Sequence, residues 1–321
     1  MTREYRIAAR VVAIGCATAI CSATAAGSAM AAGSATAVGS ATVIGSVAAI
    51  GSASGVAAGV AAASATATSA APAAAAKDPH KGVAVWTFRG VNRALSKSGA
   101  SWYYTWATGH SGIKTPRGTS FVPMIWGAGS VTAANLAQVK REGHYLLGFN
   151  EPDNSGQSNM SASQALSLWP RLMATGMTLG SPAVASGAAT KGGWLDQFMA
   201  GAKSRGYRVN FITLHWYGGN FATAAAVSEL KSYIQAVHAR YHKPIWLTEF
   251  ALIRFGAKAS FPSPRQQGAF LTAATTMLQH LSYVQRYAWF ALPASAGDGS
   301  AGLFRPGAVA TRPGRAFEAV H

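Results

Sequence analysis

The chain has 321 residues and a formal net charge of +17, with 27 Lys and Arg against 10 Asp and Glu. That length allows one large core; both cysteines, Cys16 and Cys21, stand near the start, which excludes a disulfide framework, a thiol nucleophile and a cysteine metal site from the remainder. The basic residues are scattered singly, with no basic run or helix face, so nucleic acid is not an expected partner; a solvated basic surface or attraction to anionic cell-wall polymers fits as well.

Arg3, Arg6 and Arg10 precede an uncharged stretch and the small residues Ala23-Thr24-Ala25, a pattern that predicts a signal peptide over residues 1–25 and an exported, extracellular protein. Loss of that segment lowers the net charge by two; retention would tether the protein to the surface. From Cys21 a six-residue unit recurs as CSATAA, GSAMAA, GSATAV, GSATVI, GSVAAI and GSASGV. Residues 26–77 read as a disordered low-complexity spacer, too rich in Gly, Ser and Thr for a membrane span.

Eight short apolar runs follow, over 82–88, 101–107, 120–126, 145–151, 178–184, 209–217, 244–250 and 286–292, and helical patterns separate most of them. The count and alternation predict one α/β domain over 78–321, a single (β/α)8 TIM barrel whose usual size is about 250 residues. Ser161 to Gln164 reads as a capping box opening a helix with Ala165, Leu168, Trp169, Leu172 and Met173 on one face and Pro170 as a kink. Leu230, Ile234, Val237 and Phe270, Ala274, Leu278 repeat at helical spacing and read as core.

Only two acids terminate apolar runs: Glu151 in LLGFNEPD and Glu249 in PIWLTEF. Parallel barrels keep their chemistry at the carboxyl ends of strands, and the fourth and seventh strands face each other across the mouth. Alternation places Tyr145, Leu147, Phe149 and Glu151 on one face, and Ile245, Leu247 and Glu249 on another. Two carboxylates so opposed suit glycosidic bond cleavage: about 5 Å apart for retention, wider for inversion. Taken singly, Asn-Glu-Pro-Asp is also a turn sequence and Thr-Glu a helix cap. Thr213, His215 and Tyr217 share a face of the sixth run; Tyr217 is placed to donate to a carboxylate, and His215 to order the acid/base or a sugar hydroxyl. Trp86, Trp106, Trp126, Trp216 and Trp289 fall at or near strand ends, where indole faces stack on sugar rings, while Trp246 reads as core. No residue cluster calls for a metal or an organic cofactor, and a monomer is expected.

The segments LLGFNEPDN, SPAV, GGWLDQF, FITLHWYGG and KPIWLTEFA, with WYYTW and FVPMIWG before them and YAWFA after, resemble glycoside hydrolase family 128 over residues 82–292. The resemblance implies a secreted β-1,3-glucanase that hydrolyses internal linkages of β-glucan with retention. It implies that Glu151 is the acid/base, Glu249 the nucleophile, Asn150 a ligand of the sugar 2-hydroxyl, and Trp289 the floor of that subsite. For this division the acid/base must hold a proton and Glu249 must be ionised, at an ordinary carboxylate value. Family members often carry an acid and cysteines where Asn210 and Ser204 stand here. Two other readings stay open: a hydrolase of another β-linked polymer, a β-1,4-glucan or mannan, and a non-catalytic carbohydrate-binding barrel of the cell wall.

Overall fold

The computed structural model describes residues 77–295 and 299–321, so the signal-peptide and spacer expectations fall outside the described residues. Each predicted run carries a strand: β1 (Lys81–Ala84), β2 (Trp102–Tyr104), β3 (Ser120–Phe121), β4 (Tyr145–Leu146), β5 (Thr178–Leu179), β6 (Ile212–Gly218), β7 (Ile245–Leu252) and β8 (Val284–Trp289). The sheet order is β3-β2-β1-β8-β7-β6, with β4 paired to β5, and all these pairings are parallel. Parallel bridges Met124 to Leu147 and Gly180 to Phe211 join the two sheets. Every run therefore pairs with the next, and β8 returns to β1, which is the connectivity of a closed parallel ring.

The strands are shorter than the runs for local reasons. Beyond β3, Pro123 has no N–H to donate, and the ladder continues through its carbonyl, which accepts from Leu147 N at 3.0 Å. Beyond β4, a Cβ on Gly148 would lie 2.8 Å from Ser181 O, so the backbones approach too closely there for any side chain.

The helices are α1 (Val91–Ser98), α2 (Ala133–Glu142), α3 (Ala162–Met173), α4 (Trp194–Ser204), α5 (Thr223–Tyr241), α6 (Pro264–Gln279) and α7 (Arg312–Glu318). Ser161 caps α3 through the reciprocal box with Gln164, and the helix runs through Pro170 to end within a turn of it. Ser263 and Gln266 repeat the box at α6, with Pro264 at its first position, where a missing N–H costs nothing. No helix stands between β2 and β3. There the connecting segment is tied down by His110, which meets Tyr103 OH at 2.8 Å and Glu142 at 2.6 Å and stacks on Phe121.

Two apolar layers result. Inside the ring, Trp102, Tyr145 and Phe211 pack around Trp246, and the Arg286 guanidinium lies 4.3 Å from the Trp246 ring centroid. Outside it, Phe250, Phe270 and Trp289 pack together beneath α6, and Phe149 meets Trp169 of α3. The chain end is fastened under β1: the buried Lys81 Nζ donates to the carbonyls of Phe317 and Val320, each at 2.7 Å.

Candidate active site

Glu249 is 2 % exposed, and both its oxygens are taken by donors. Oε1 accepts from Tyr104 OH at 3.0 Å and Trp106 Nε1 at 2.8 Å, and Oε2 accepts from Tyr217 OH. β2 supplies Tyr104, and Trp106 follows two residues on with a left-handed φ of 55°. β6 supplies Tyr217 and His215, whose side chain has no exposed area.

Glu151 has a left-handed φ of 40°, a sparsely populated conformation for a residue with a Cβ. Its Oε1 lies 2.9 Å from His215 Nδ1, and Oε2 accepts from Asn154 Nδ2 at 3.2 Å. His215 Nε2 lies 3.4 Å from Glu249 Oε1, near enough for ionic attraction but too poorly aligned for a hydrogen bond. The imidazole thus spans the two carboxylates, and ligand atoms of Glu151, His215 and Glu249 all lie within 4.8 Å of one another.

The electrostatics follow from burial and proximity. Burial pushes the Glu249 carboxyl above its ordinary value, and Glu151 adds to the rise; His215, Tyr217 and Trp106 pull against it. This corrects the expectation of an ordinary value. Burial alone would lower His215, but the two carboxylates outweigh it and raise it above its ordinary value. Tyr104 and Tyr217 are pushed far up by burial and by Glu249, so both remain donors. Three such ligand groups could in principle hold a divalent ion. Here, however, the two His215 nitrogens point to different carboxylates, and both Glu249 oxygens are engaged by protein donors.

The remaining predicted residues divide. Asn150 is buried beside Glu151; its Nδ2 donates to Gln157 at 3.3 Å, while Oδ1 has no partner among the described residues. Half-buried Trp126 likewise has an unpartnered Nε1. Trp106 is 7 % exposed and bound to Glu249, so it positions that carboxylate rather than forming an open platform. Trp289 is a correction: it is fully buried, donates to Ala301 O at 2.7 Å, and packs outward against Phe250 and Phe270. Its neighbour Phe290 faces the mouth instead, with its ring 5.5 Å from Tyr217 and 5.9 Å from Trp106. Trp216 also turns away, stacking on Phe270.

Alternation failed at two places. Trp246 and Glu249 both face inward, three residues apart, because the β6–β7 register shifts between Leu214 and His215 and leaves Thr248 as the extra residue. Phe149 faces outward, and the left-handed backbone at Glu151 accompanies its carboxylate's inward turn. Tyr104, Asn154 and Phe290 were missed. Tyr104 was findable, since Trp102, Tyr104 and Trp106 alternate within the one predicted run over 101–107.

A sequence model of the glycosyl hydrolase catalytic core matches residues 82–312. Alkali-sensitive linkage protein 1 of Schizosaccharomyces pombe is 31 % identical over 217 residues, and the match spans 65 % of this chain but only 38 % of that protein. Among solved structures, a family 128 subgroup I endo-β-1,3-glucanase from Amycolatopsis mediterranei, in complex with laminaritriose, is 54 % identical, with a TM-score of 0.73 over 75 % of this chain and 99 % of that one. A subgroup II endo-β-1,3-glucanase from Sorangium cellulosum is 29 % identical, with a TM-score of 0.63 over 75 % and 98 % of the two chains. With two buried-edge glutamates opposed across a parallel ring, and with these likenesses over the same residues, the chain belongs to the glycosyl hydrolase catalytic core family and, within it, to glycoside hydrolase family 128.

Proposed function

We propose that the protein hydrolyses internal β-1,3-glucosidic linkages of β-glucan by a retaining double displacement, with Glu249 as nucleophile and Glu151 as acid/base. The observation that carries this reading is the separation of the two carboxylates. Oxygens within 4.8 Å of each other match the roughly 5 Å of retaining enzymes and leave no room for the water that an inverting enzyme holds between them. The Amycolatopsis enzyme supports the choice of polymer, since glutamate variants of it were solved with laminaripentaose and with laminaritriose and laminaribiose.

In the first step a Glu249 oxygen attacks the anomeric carbon, the glycosidic C–O bond breaks, and Glu151 gives its proton to the leaving oxygen. In the second, Glu151 takes a proton from water, the water oxygen attacks the same carbon, and Glu249 leaves as a carboxylate. The division of labour is supported by the surroundings. Glu249 accepts from three neutral donors and faces the His215 imidazole, and the three hydrogen bonds stabilise its anion. Glu151 is the more accessible of the two, and its Oε1 is held 2.9 Å from His215 Nδ1, which orients the carboxyl toward the leaving group. The unpartnered Asn150 Oδ1 is a ready acceptor for a sugar hydroxyl, and Trp126 Nε1 a ready donor. Phe290 replaces Trp289 in the proposed floor. Export, from the leader, is part of the same proposal.

Timed product analysis on laminarin, curdlan, cellulose and mannan tests it. Laminari-oligosaccharides released from the β-1,3-glucans alone support the reading. Release from cellulose or mannan supports the rival polymer, and binding without turnover supports the carbohydrate-binding barrel.

A further inference from the structure

Four arginines stand together on the catalytic face. Arg265 is in the first turn of α6, Arg305 ends the short strand β9 (Phe304–Arg305), and Arg312 and Arg315 lie on α7. They line two adjoining surface grooves of about 520 and 260 Å³ that share Arg312 and Arg315. All four are exposed, and none forms an ion pair with a described carboxylate. Because α6 and α7 begin after β7 and β8, their first turns lie at the carboxyl ends of the strands, the end that carries Glu151 and Glu249.

The fold itself does not explain this placement. Like charges repel, and a cation in the first turn of α6 opposes the positive end of the helix dipole. The larger groove between α4 and α5, about 930 Å³, makes the contrast. Its Lys203 and Arg240 lie in the last turns of those helices, where the dipole favours them, and Arg240 pairs with Asp196 at 2.7 Å. Those cations support the helices that carry them; Arg315 does so too, in the last turn of α7 and donating to Ala310 O at 3.1 Å, but Arg265, Arg305 and Arg312 have no such role.

We infer that Arg265, Arg305, Arg312 and Arg315 form a docking track for an acidic, carboxylate-bearing polysaccharide running beside the catalytic mouth. Guanidinium forks take carboxylates in bidentate fashion, and no lysine lines either groove. Two grooves joined through shared arginines suit a chain with repeated anions rather than one small ion. The choice of a polysaccharide among polyanions rests on the glycan-hydrolase reading above. In that reading the track holds the enzyme on an acidic matrix polymer while the mouth works on neutral glucan.

The test is calorimetric titration of the full chain with polygalacturonate, polyphosphate and double-stranded DNA, for the wild type and two variants. One variant replaces the four arginines by Gln; the other replaces Lys140, Arg141, Lys203 and Lys231 by Gln and so has the same net charge. The track predicts that polygalacturonate binds the wild type, weakens as salt shortens the Debye length from about 10 Å to about 3 Å, and loses roughly tenfold or more in affinity in the arginine variant only. Laminarin hydrolysis by the folded protein stays unchanged in both variants. Equal losses in the two variants, no binding by the wild type, or tighter binding of polyphosphate or DNA would overturn the inference. A wild type that binds polygalacturonate through these arginines but never cleaves laminarin would overturn the hydrolase reading and leave the track standing.

Discussion

Replacing Tyr217 by Phe removes one hydroxyl from the site and keeps the ring that packs on Phe255 and Phe290. Of the donors to Glu249, Tyr104 and Trp106 serve Oε1, whereas Tyr217 alone serves Oε2. Its loss leaves a buried carboxylate oxygen without a partner. A hydrogen bond to a charged group is worth about 1.5–3 kcal/mol, which raises the Glu249 pKa by roughly one to two units at 1.36 kcal/mol per unit. The ionised carboxylate is the attacking form, so the acid limb of kcat/KM moves to higher pH by that amount, and activity in the acid range falls roughly tenfold to a hundredfold. The assay is the pH dependence of kcat/KM on laminarin for the wild type and Tyr217→Phe, with melting temperature as a folding control. An acid limb that stays in place, with activity reduced equally at every pH, refutes the assignment of Tyr217 as the donor that keeps Glu249 ionised.

Glu249→Gln abolishes turnover while laminarin binding, measured by titration, persists. Because burial raises the folded-state pKa of Glu249 above its unfolded value, its contribution to stability is fully present below the unfolded value and is lost as pH rises through the folded one. The Gln variant therefore melts higher than the wild type near neutral pH, and the gain disappears in acid. Trp289→Ala costs about 3–5 kcal/mol in urea unfolding with KM little changed in the enzyme that remains folded, whereas Phe290→Ala raises KM with a smaller loss of stability. The opposite assignment would restore Trp289 to the sugar site. Lys81 is held down to about 8 by burial, below its unfolded value, so the unfolded chain binds more protons between there and about 10.4. Stability relative to Lys81→Met thus rises with pH across that window, by on the order of 3 kcal/mol, and a difference that stays flat from neutral pH to pH 10 contradicts the buried-ammonium reading.

Much of this was legible in the residues. All eight runs carry strands, because short apolar stretches bounded by Gly, Pro and polar residues leave few alternatives. Glu151 and Glu249 stood out because acids are scarce and these two end such runs. The sixth strand was readable in detail, since Phe211, Thr213, His215 and Tyr217 alternate without interruption and the last two reach the carboxylates. What escaped was whatever broke the period of two. The extra residue Thr248 turns Trp246 and Glu249 to the same side, and a left-handed backbone accompanies the inward Glu151. Neither a bulge nor a left-handed glutamate has a local sequence signature. At the end of β8 the choice between Trp289 and Phe290 depends on packing beneath α6, which no pattern within that strand reports.

The separation of the two carboxylates sets the stereochemistry of the product, and proton NMR of laminari-oligosaccharide cleavage in its first minutes reads it directly. Retention requires that the β-anomer form first and mutarotate later, with a glycosyl group trapped on Glu249 when a fluorinated substrate analogue slows the second step. An α-anomer as the initial product, or a label on any other residue, contradicts it.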